Sequence, residues 1–182
     1  MYAIVKDGSI TATGTIKQLF PTTSFAGGVA NEEFKKAENV EDVVNGEQKD
    51  RTYYYVTQGN IVLVGGVPTQ QFTNTAKQLN DRDATDEDGN KVKDADGNQV
   101  IEYGLKTSMT NQVKTIANSL LATTDWMIIR KVERSVNVPS ATETYRAAVI
   151  TECGRLESAI AGVSDVDALK VVMDGQNWPK EG

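Results

Sequence analysis

"LLATTDWMIIRKVERSVNVPSATETYRAAV", residues 120–149, decides how the C-terminal part of this chain folds. It begins as the end of one apolar helix and closes as the start of another. Upstream of it, Leu105, Met109, Val113, Ile116 and Leu120 recur at helical spacing, with Lys, Asn, Gln and Thr between them. Near its end, Pro139 precedes Ser140-Ala141-Thr142-Glu143, the spacing of a capping box in which Ser140 and Glu143 satisfy exposed amides at a helix start. Tyr145, Val149, Leu156 and Ile160 then form a second apolar stripe, closed by Gly162. Two facing stripes predict a helical hairpin. Ser164-Asp165-Val166-Asp167 starts a third, shorter helix with Leu169, Val172 and Met173 inward, stopped by Gly175.

Joins between helices are usually small and polar, yet this one carries Trp126, Arg130, Lys131 and Arg134, with Arg146 soon after. A large aromatic at a helix end is expected to be buried, so Trp126 reads as a plug for the open end of the hairpin. The basic run after it reads as loop surface. Arginine is favoured at interfaces because its planar fork pairs with carboxylates and stacks on rings. Trp178, beside Pro179, either tucks back onto the third helix or stands as an exposed anchor. Trp126, Arg130, Lys131, Arg134, Arg146 and Trp178 are therefore the candidate partner-binding residues.

The N-terminal part changes period. YAIV and SITATG flank Lys6-Asp7-Gly8, and an Asp-Gly pair between β-prone runs signals a hairpin because both central residues must reach positive φ. IKQLF stops at Pro21, and NEEFKKAENV reads as a short helix capped by Asn31. YYYVTQGNIVLVGGV gives β-rich runs around Gln58-Gly59-Asn60, a second hairpin candidate.

Between these parts lies an acidic stretch with an internal repeat. Asp86-Glu87-Asp88-Gly89-Asn90-Lys91-Val92 returns as Asp94-Ala95-Asp96-Gly97-Asn98-Gln99-Val100. Alternating carboxylates invite a calcium reading, but a calcium loop begun at Asp86 or Asp94 meets Lys91 or Gln99 where glycine is needed, and Gly97 or Leu105 where glutamate is needed. The plainer expectation is that each Asp-Gly-Asn turns the chain within a solvated, mobile hairpin arm.

Composition narrows the chemistry. The chain has 182 residues and a net charge of −6, which opposes broad contact with nucleic-acid phosphates or anionic lipid. Its longest apolar runs, such as IVLV, fall far short of the ~20 residues that span a bilayer. The opening MYAIVKDGSI has no basic head and apolar segment of a secretory signal, so a cytoplasmic start is expected. There is no histidine, which removes the commonest general base and imidazole metal ligand, and Cys153 is alone. No Walker-type or dinucleotide glycine fingerprint is completed. No catalytic residue, cofactor or metal ligand is assigned.

With the chemistry thinned, LLATTDWMIIRK, the Val138-Pro139 pair and the Tyr145-Arg146 helix start resemble the C-terminal module of bacteriophage tail assembly chaperones and related tail-fibre assembly proteins, in which L-x-x-T-D-W is followed by a proline and an Y-R-x-A-x helix. The closing Asn177-Trp178-Pro179 fits that module, and MYAIVKDGSITATGTIKQLFPTTSF resembles the β-rich opening of small phage proteins encoded near tail-fibre genes. The chain departs from shorter versions of the module by the basic MIIRKVERSVN segment. The resemblance implies a non-enzymatic tail or tail-fibre assembly factor, or a structural protein retained in the virion tail or baseplate. Its partner would be a phage tail-fibre or baseplate protein, met in the host cytoplasm during assembly, with a homo-oligomer possible and neither nucleic acid nor membrane involved.

The expected fold is thus α+β: a β-rich N-terminal domain over 1–79, an acidic hairpin arm over 80–103 and a helical module of two to three helices over 104–182. The alternative is a calcium-dependent adhesion or surface-binding module built on the acidic repeat.

Overall fold

The computed structural model describes residues 1–180, the Ala26 side chain excepted. The fold is α+β, with three small sheets and a helical C-terminal part. The chain divides into two compact units, Met1–Ala76 and Lys77–Gly182, so the acidic segment belongs with the helices.

In the first unit β1 (Tyr2–Lys6) and β2 (Ser9–Gly14) form the expected hairpin, with Asp7 and Gly8 at φ 50° and 69°. A one-turn helix α1 (Ile16–Leu19) follows, stopping before Pro21. Its start is a capping box: the Gln18 amide donates to Thr15 Oγ1 and the Thr15 amide donates to Gln18 Oε1. Helix α2 (Glu32–Ala37) has the predicted cap, the Phe34 amide donating to Asn31 Oδ1 at 2.8 Å. β3 (Val40–Asp42) then lies on the other side of β1, giving the order β2-β1-β3. Ile16, Ala30 and Val40 are the buried centre, and Phe34 meets both Phe20 and Phe25 edge-on with ring centroids 4.9 Å apart.

The second predicted hairpin is displaced. Gln58-Gly59-Asn60 is no turn; it lies inside one long strand, β5 (Tyr54–Val64), which follows the short β4 (Val44–Asn45). The chain reverses at Gly65-Gly66, whose φ values of 58° and 87° suit a tight turn, and returns as β6 (Val67–Ala76). Gln58 pairs with Phe72 and Ile61 with Gln70, so Gly59 and Asn60 oppose Gln71 alone and form a bulge. The amide of buried Gln70 is what satisfies it, donating to the Gly59 carbonyl at 2.6 Å.

The acidic segment is not a plain hairpin arm. β7 (Arg82–Asp83) pairs with β8 (Ile101–Glu102), and a middle run joins both through Thr85–Lys91 and Lys93–Gln99 bridges. The eight-residue repeat makes Ala84, Val92 and Val100 equivalent, and they close a ring: Val92 N–H donates to Ala84 C=O, Val100 N–H to Val92 C=O, and Ala84 N–H to Val100 C=O. Each Asp-x-Asp-Gly-Asn is the turn expected, with Gly89 and Gly97 at φ 83° and 85°. Asp86 Oδ1 accepts the Asp88 and Asn90 amides, and Asp94 Oδ1 those of Asp96 and Asn98. The bonds from the Asn90 and Asn98 backbone lead in holding both carboxyls below the usual range.

Helices α3 (Leu105–Ala122), α4 (Asp125–Arg134), α5 (Ser140–Gly162) and α6 (Val166–Asp174) complete the second unit. The α5 stripe is buried as predicted, with Val149, Leu156 and Ile160 at 0% exposure. In α3 Leu105, Met109 and Val113 are buried, but Ala117 takes the inward place that Ile116 was expected to hold, because close approach to α5 favours the smaller residue. α6 starts on the Asp165 side chain, which accepts the Ala168 amide at 2.8 Å, and buries Leu169 and Met173.

The predicted Ser140 capping box does not form. Pro139 takes the cap position, Ser140 is the first helical residue, and Glu143 reaches across to Lys131 instead. Ser140→Ala is therefore expected to change stability by less than about 0.5 kcal/mol, where loss of a true cap would cost ~1 kcal/mol. Chemical denaturation that showed the larger loss would restore the box.

Candidate functional site

The join is a helix, not a loop. Between Asp125 and Val138 there is neither glycine nor proline to break it, Asp125 lies at the positive end of α4, and Lys131 and Arg134 lie in the last turn. Ser135, at φ 55°, ends it in the left-handed conformation with its amide bonded to the Lys131 carbonyl.

Two anchors tie α4 down. Thr124, fully buried at its start, donates to the Leu121 carbonyl and accepts from Arg146 Nη1 at 2.7 Å. That same Arg146 nitrogen donates to the Leu121 carbonyl at 2.8 Å and pairs with Asp125 at 2.9 Å. Further along, Lys131 pairs with Glu143 of α5 at 2.8 Å.

Otherwise α4 is shallowly seated. None of its side chains is fully buried; Met127 and Ile128 are half-buried against the rest of the unit. Trp126, Ile129 and Val132 are exposed at 52%, 55% and 80%, and Val136 just beyond at 40%. Spaced by three, Trp126, Ile129 and Val132 run along the outer side, and Arg130 and Arg134 stand one turn apart beside them. The Arg130 guanidinium lies over the Trp126 ring, 4.9 Å from its centroid, a cation–π contact that holds both groups in one orientation. Among the described residues neither arginine has an ion-pair partner, and the Arg130 Nε is buried without a hydrogen bond.

The predicted residues thus separate. Trp126 is not the plug; Thr124 and Arg146 fill the junction, and the indole is left at the surface. Trp126, Arg130 and Arg134 form one open patch. Lys131 lies beside it, engaged with Glu143. Arg146 is an internal tie with a side chain only 17% exposed. Trp178 tucks back, half-buried against the cluster of Ala117, Tyr145 and Val149, with its indole N–H donating to Gln176. The tail leading to it is held by buried Glu152, whose carboxylate accepts from Arg155 Nε and Nη2 and from the Asn177 amide, each at 2.7 Å; Arg155 keeps that carboxyl below its ordinary range. Ile129 and Val132 are not among the candidates a loop reading of this run offers; the signal for them is the recurrence of Trp126, Ile129 and Val132 at successive intervals of three.

A concavity of about 350 Å³ opens between α3 and α5 over Ala117, Leu121, Ile150 and Cys153, rimmed by the Lys114–Glu157 pair at 3.3 Å. Burial pushes the Cys153 thiol up, away from the thiolate that nucleophilic chemistry needs. In the acidic segment the Asp86 and Asp94 carboxylates are occupied by their own turns, and among the described residues no three acidic or cysteine side chains gather as a metal-ligand group. No protein-family model, characterised protein or solved structure matches the chain, so its own geometry carries the functional reading.

Proposed function

We propose that the protein acts by binding, with the outer face of α4 docking an acidic surface of a phage tail-fibre or baseplate protein, as a tail assembly factor or a retained tail component. The observation that supports this is the apolar ridge of Trp126, Ile129 and Val132 beside two unpaired arginines, in a chain whose net charge is −6. An exposed aromatic with stacked arginine is the composition of an interface centre, and a desolvated guanidinium selects a carboxylate partner. The resemblance around Trp126, Pro139 and Tyr145 supplies the tail as the setting.

The test is association with the neighbouring tail-fibre or baseplate product, measured by calorimetry and by co-purification. Arg130→Glu with Arg134→Glu is expected to weaken it at least about tenfold, more at low salt, while leaving the melting temperature nearly unchanged. Trp126→Ala is expected to weaken it similarly at a stability cost under about 1 kcal/mol, far below the ~3–5 kcal/mol of a buried tryptophan. Unchanged affinity in both variants would overturn the reading.

A further inference from the structure

The β5–β6 hairpin of the first unit has two unlike faces. Register and alternation put Tyr54, Ile61, Leu63, Pro68 and Gln70 on one face, where Tyr54, Pro68 and Gln70 are buried. The opposite face carries Val62, Val64 and Val67, and the parallel pairing of Val44 with Thr69 brings Val44 onto it. These four valines are exposed at 41%, 53%, 45% and 46%. Thr69 lies buried between Val44 and Val62 on this face, and Thr57, Thr73, Thr75 and the exposed Tyr55 continue it toward the far end of the hairpin.

We propose that this valine-threonine face packs against the same face of a second copy of the chain, forming a weak, two-fold symmetric dimer. Charge selects the occupant. From Thr52 to Ala76, the stretch that supplies every residue of this face except Val44, the sequence has no charged residue, whereas the chain as a whole is 24% charged with a net charge of −6. Identical acidic molecules repel across most surfaces, and a two-fold contact places each patch on its own equal, so a neutral face meets itself without like-charge cost. The same neutrality leaves nothing to select a charged foreign partner. β-Branched side chains on a pleated surface are also the shape that packs sheet on sheet, ~10 Å apart.

The edge of β5 does not offer an equivalent contact. The Gly59-Asn60 bulge interrupts its pairing pattern, and the Gly59 carbonyl already accepts the Gln70 amide. Size sets the strength. An 11-residue strand in a three-stranded sheet presents a face about 35 Å long and about 12 Å wide. Two such faces bury roughly 800–1000 Å² in total, the range of transient complexes, so the dimer is concentration-dependent.

Sedimentation of the intact protein from micromolar to near-millimolar concentration tests this. The weight-average mass is expected to rise from monomer toward dimer for the natural sequence and to stay monomeric for Val62→Lys with Val67→Lys. Val62→Thr with Val67→Thr keeps the β-branched shape and is expected to weaken the dimer by about tenfold or more through loss of apolar contact, which keeps the test open should the lysine variant fail to fold by circular dichroism. A natural chain that stays monomeric throughout, a trimer or larger species, or a dimer untouched by the threonine pair would overturn the proposal. Because α4 lies in the other unit, none of these outcomes bears on its tail-protein binding.

Discussion

Gly104→Ala is expected to destabilise the second unit by about 3 kcal/mol, a disproportionate effect for one added methyl group. The reason is the start of α3. Gly104 caps that helix with φ −80°, so left-handed geometry is not what demands glycine. Space is. A Cβ at this position would sit 2.5 Å from the Asn80 carbonyl carbon and 2.6 Å from both the Asn80 and Leu79 oxygens, all backbone atoms that no rotamer change can move. The crowding exists because the chain before the acidic segment serves as the cap: Leu105 N–H donates to Gln78 C=O, Lys106 N–H to Leu79 C=O, and Gly104 N–H to Asp81 Oδ1. A methyl group that pushes residues 79–80 away strains or breaks these bonds together, each worth ~1 kcal/mol, on top of the overpacking itself.

The matched control has the opposite sign. Gly154, inside α5, has nothing within 4 Å of its Cβ direction, so Gly154→Ala is expected to stabilise by up to ~1 kcal/mol by restricting the unfolded chain. With ~4–8 °C per kcal/mol for a unit of this size, the two substitutions should move the thermal midpoint in opposite directions, the first by more than about 10 °C. If Gly104→Ala were as mild as Gly154→Ala, the docking of residues 78–81 onto α3 would be wrong.

This contact also shows where sequence reasoning reached and where it stopped. Local signals were legible: the Asp7-Gly8 turn, the Asn31 cap, the α5 stripe, the first turns of the α3 stripe and the repeat turns depend on residues a few positions apart, and they stand in the structure. Signals that depend on distant partners were not. Gly104 and Asp81 read as an ordinary glycine and one acid among many, since what makes them matter is a carbonyl or amide more than twenty residues away in sequence. The closed ring of Ala84, Val92 and Val100 needed a third segment that no pairwise hairpin rule supplies. Ser140 carried a correct local pattern and lost to tertiary context, because Glu143 found Lys131 on α4 and Pro139 took over the cap. At the candidate site, the residue types were visible and their exposure was not. A tryptophan among apolar neighbours gives no local sign that a buried threonine and an arginine will fill its expected place.

Arg146→Ala is expected to release α4 from the rest of the second unit. At 10 residues the helix is shorter than the ~12–15 residues that hold together in water even for favourable sequences, and it buries no side chain fully, so its persistence depends on its ties. Arg146 is the central one. Through a single nitrogen it bonds the Leu121 carbonyl and the Thr124 hydroxyl, and it pairs with Asp125, joining the end of α3, the start of α4 and the first turns of α5. Hydrogen bonds from a charged donor contribute about 1.5–3 kcal/mol, so their loss, with Thr124 left buried beside an empty space, outweighs what the Lys131–Glu143 surface pair retains, roughly 0–1 kcal/mol. The effect should be local. Leu156, Ile160 and Leu169 are untouched at 0% exposure, and α3, α5 and α6 pack through them and their neighbours. Hydrogen exchange is therefore expected to accelerate at least about a hundredfold across the α4 amides, while α5 keeps its protection. Arg146→Lys is expected to restore part of the α4 protection, because all three contacts run through one arginine nitrogen and an ammonium also offers its donors from one nitrogen, though on a shorter, more flexible stem. Association at the α4 face should fall with helix protection even though Arg146 itself is mostly covered, because Trp126 and Arg130 are presented together only while the helix holds them one turn apart. Exchange at α4 that stayed slow in Arg146→Ala would mean Met127 and Ile128 seat the helix unaided, and the tie assigned to Arg146 would have to be given up.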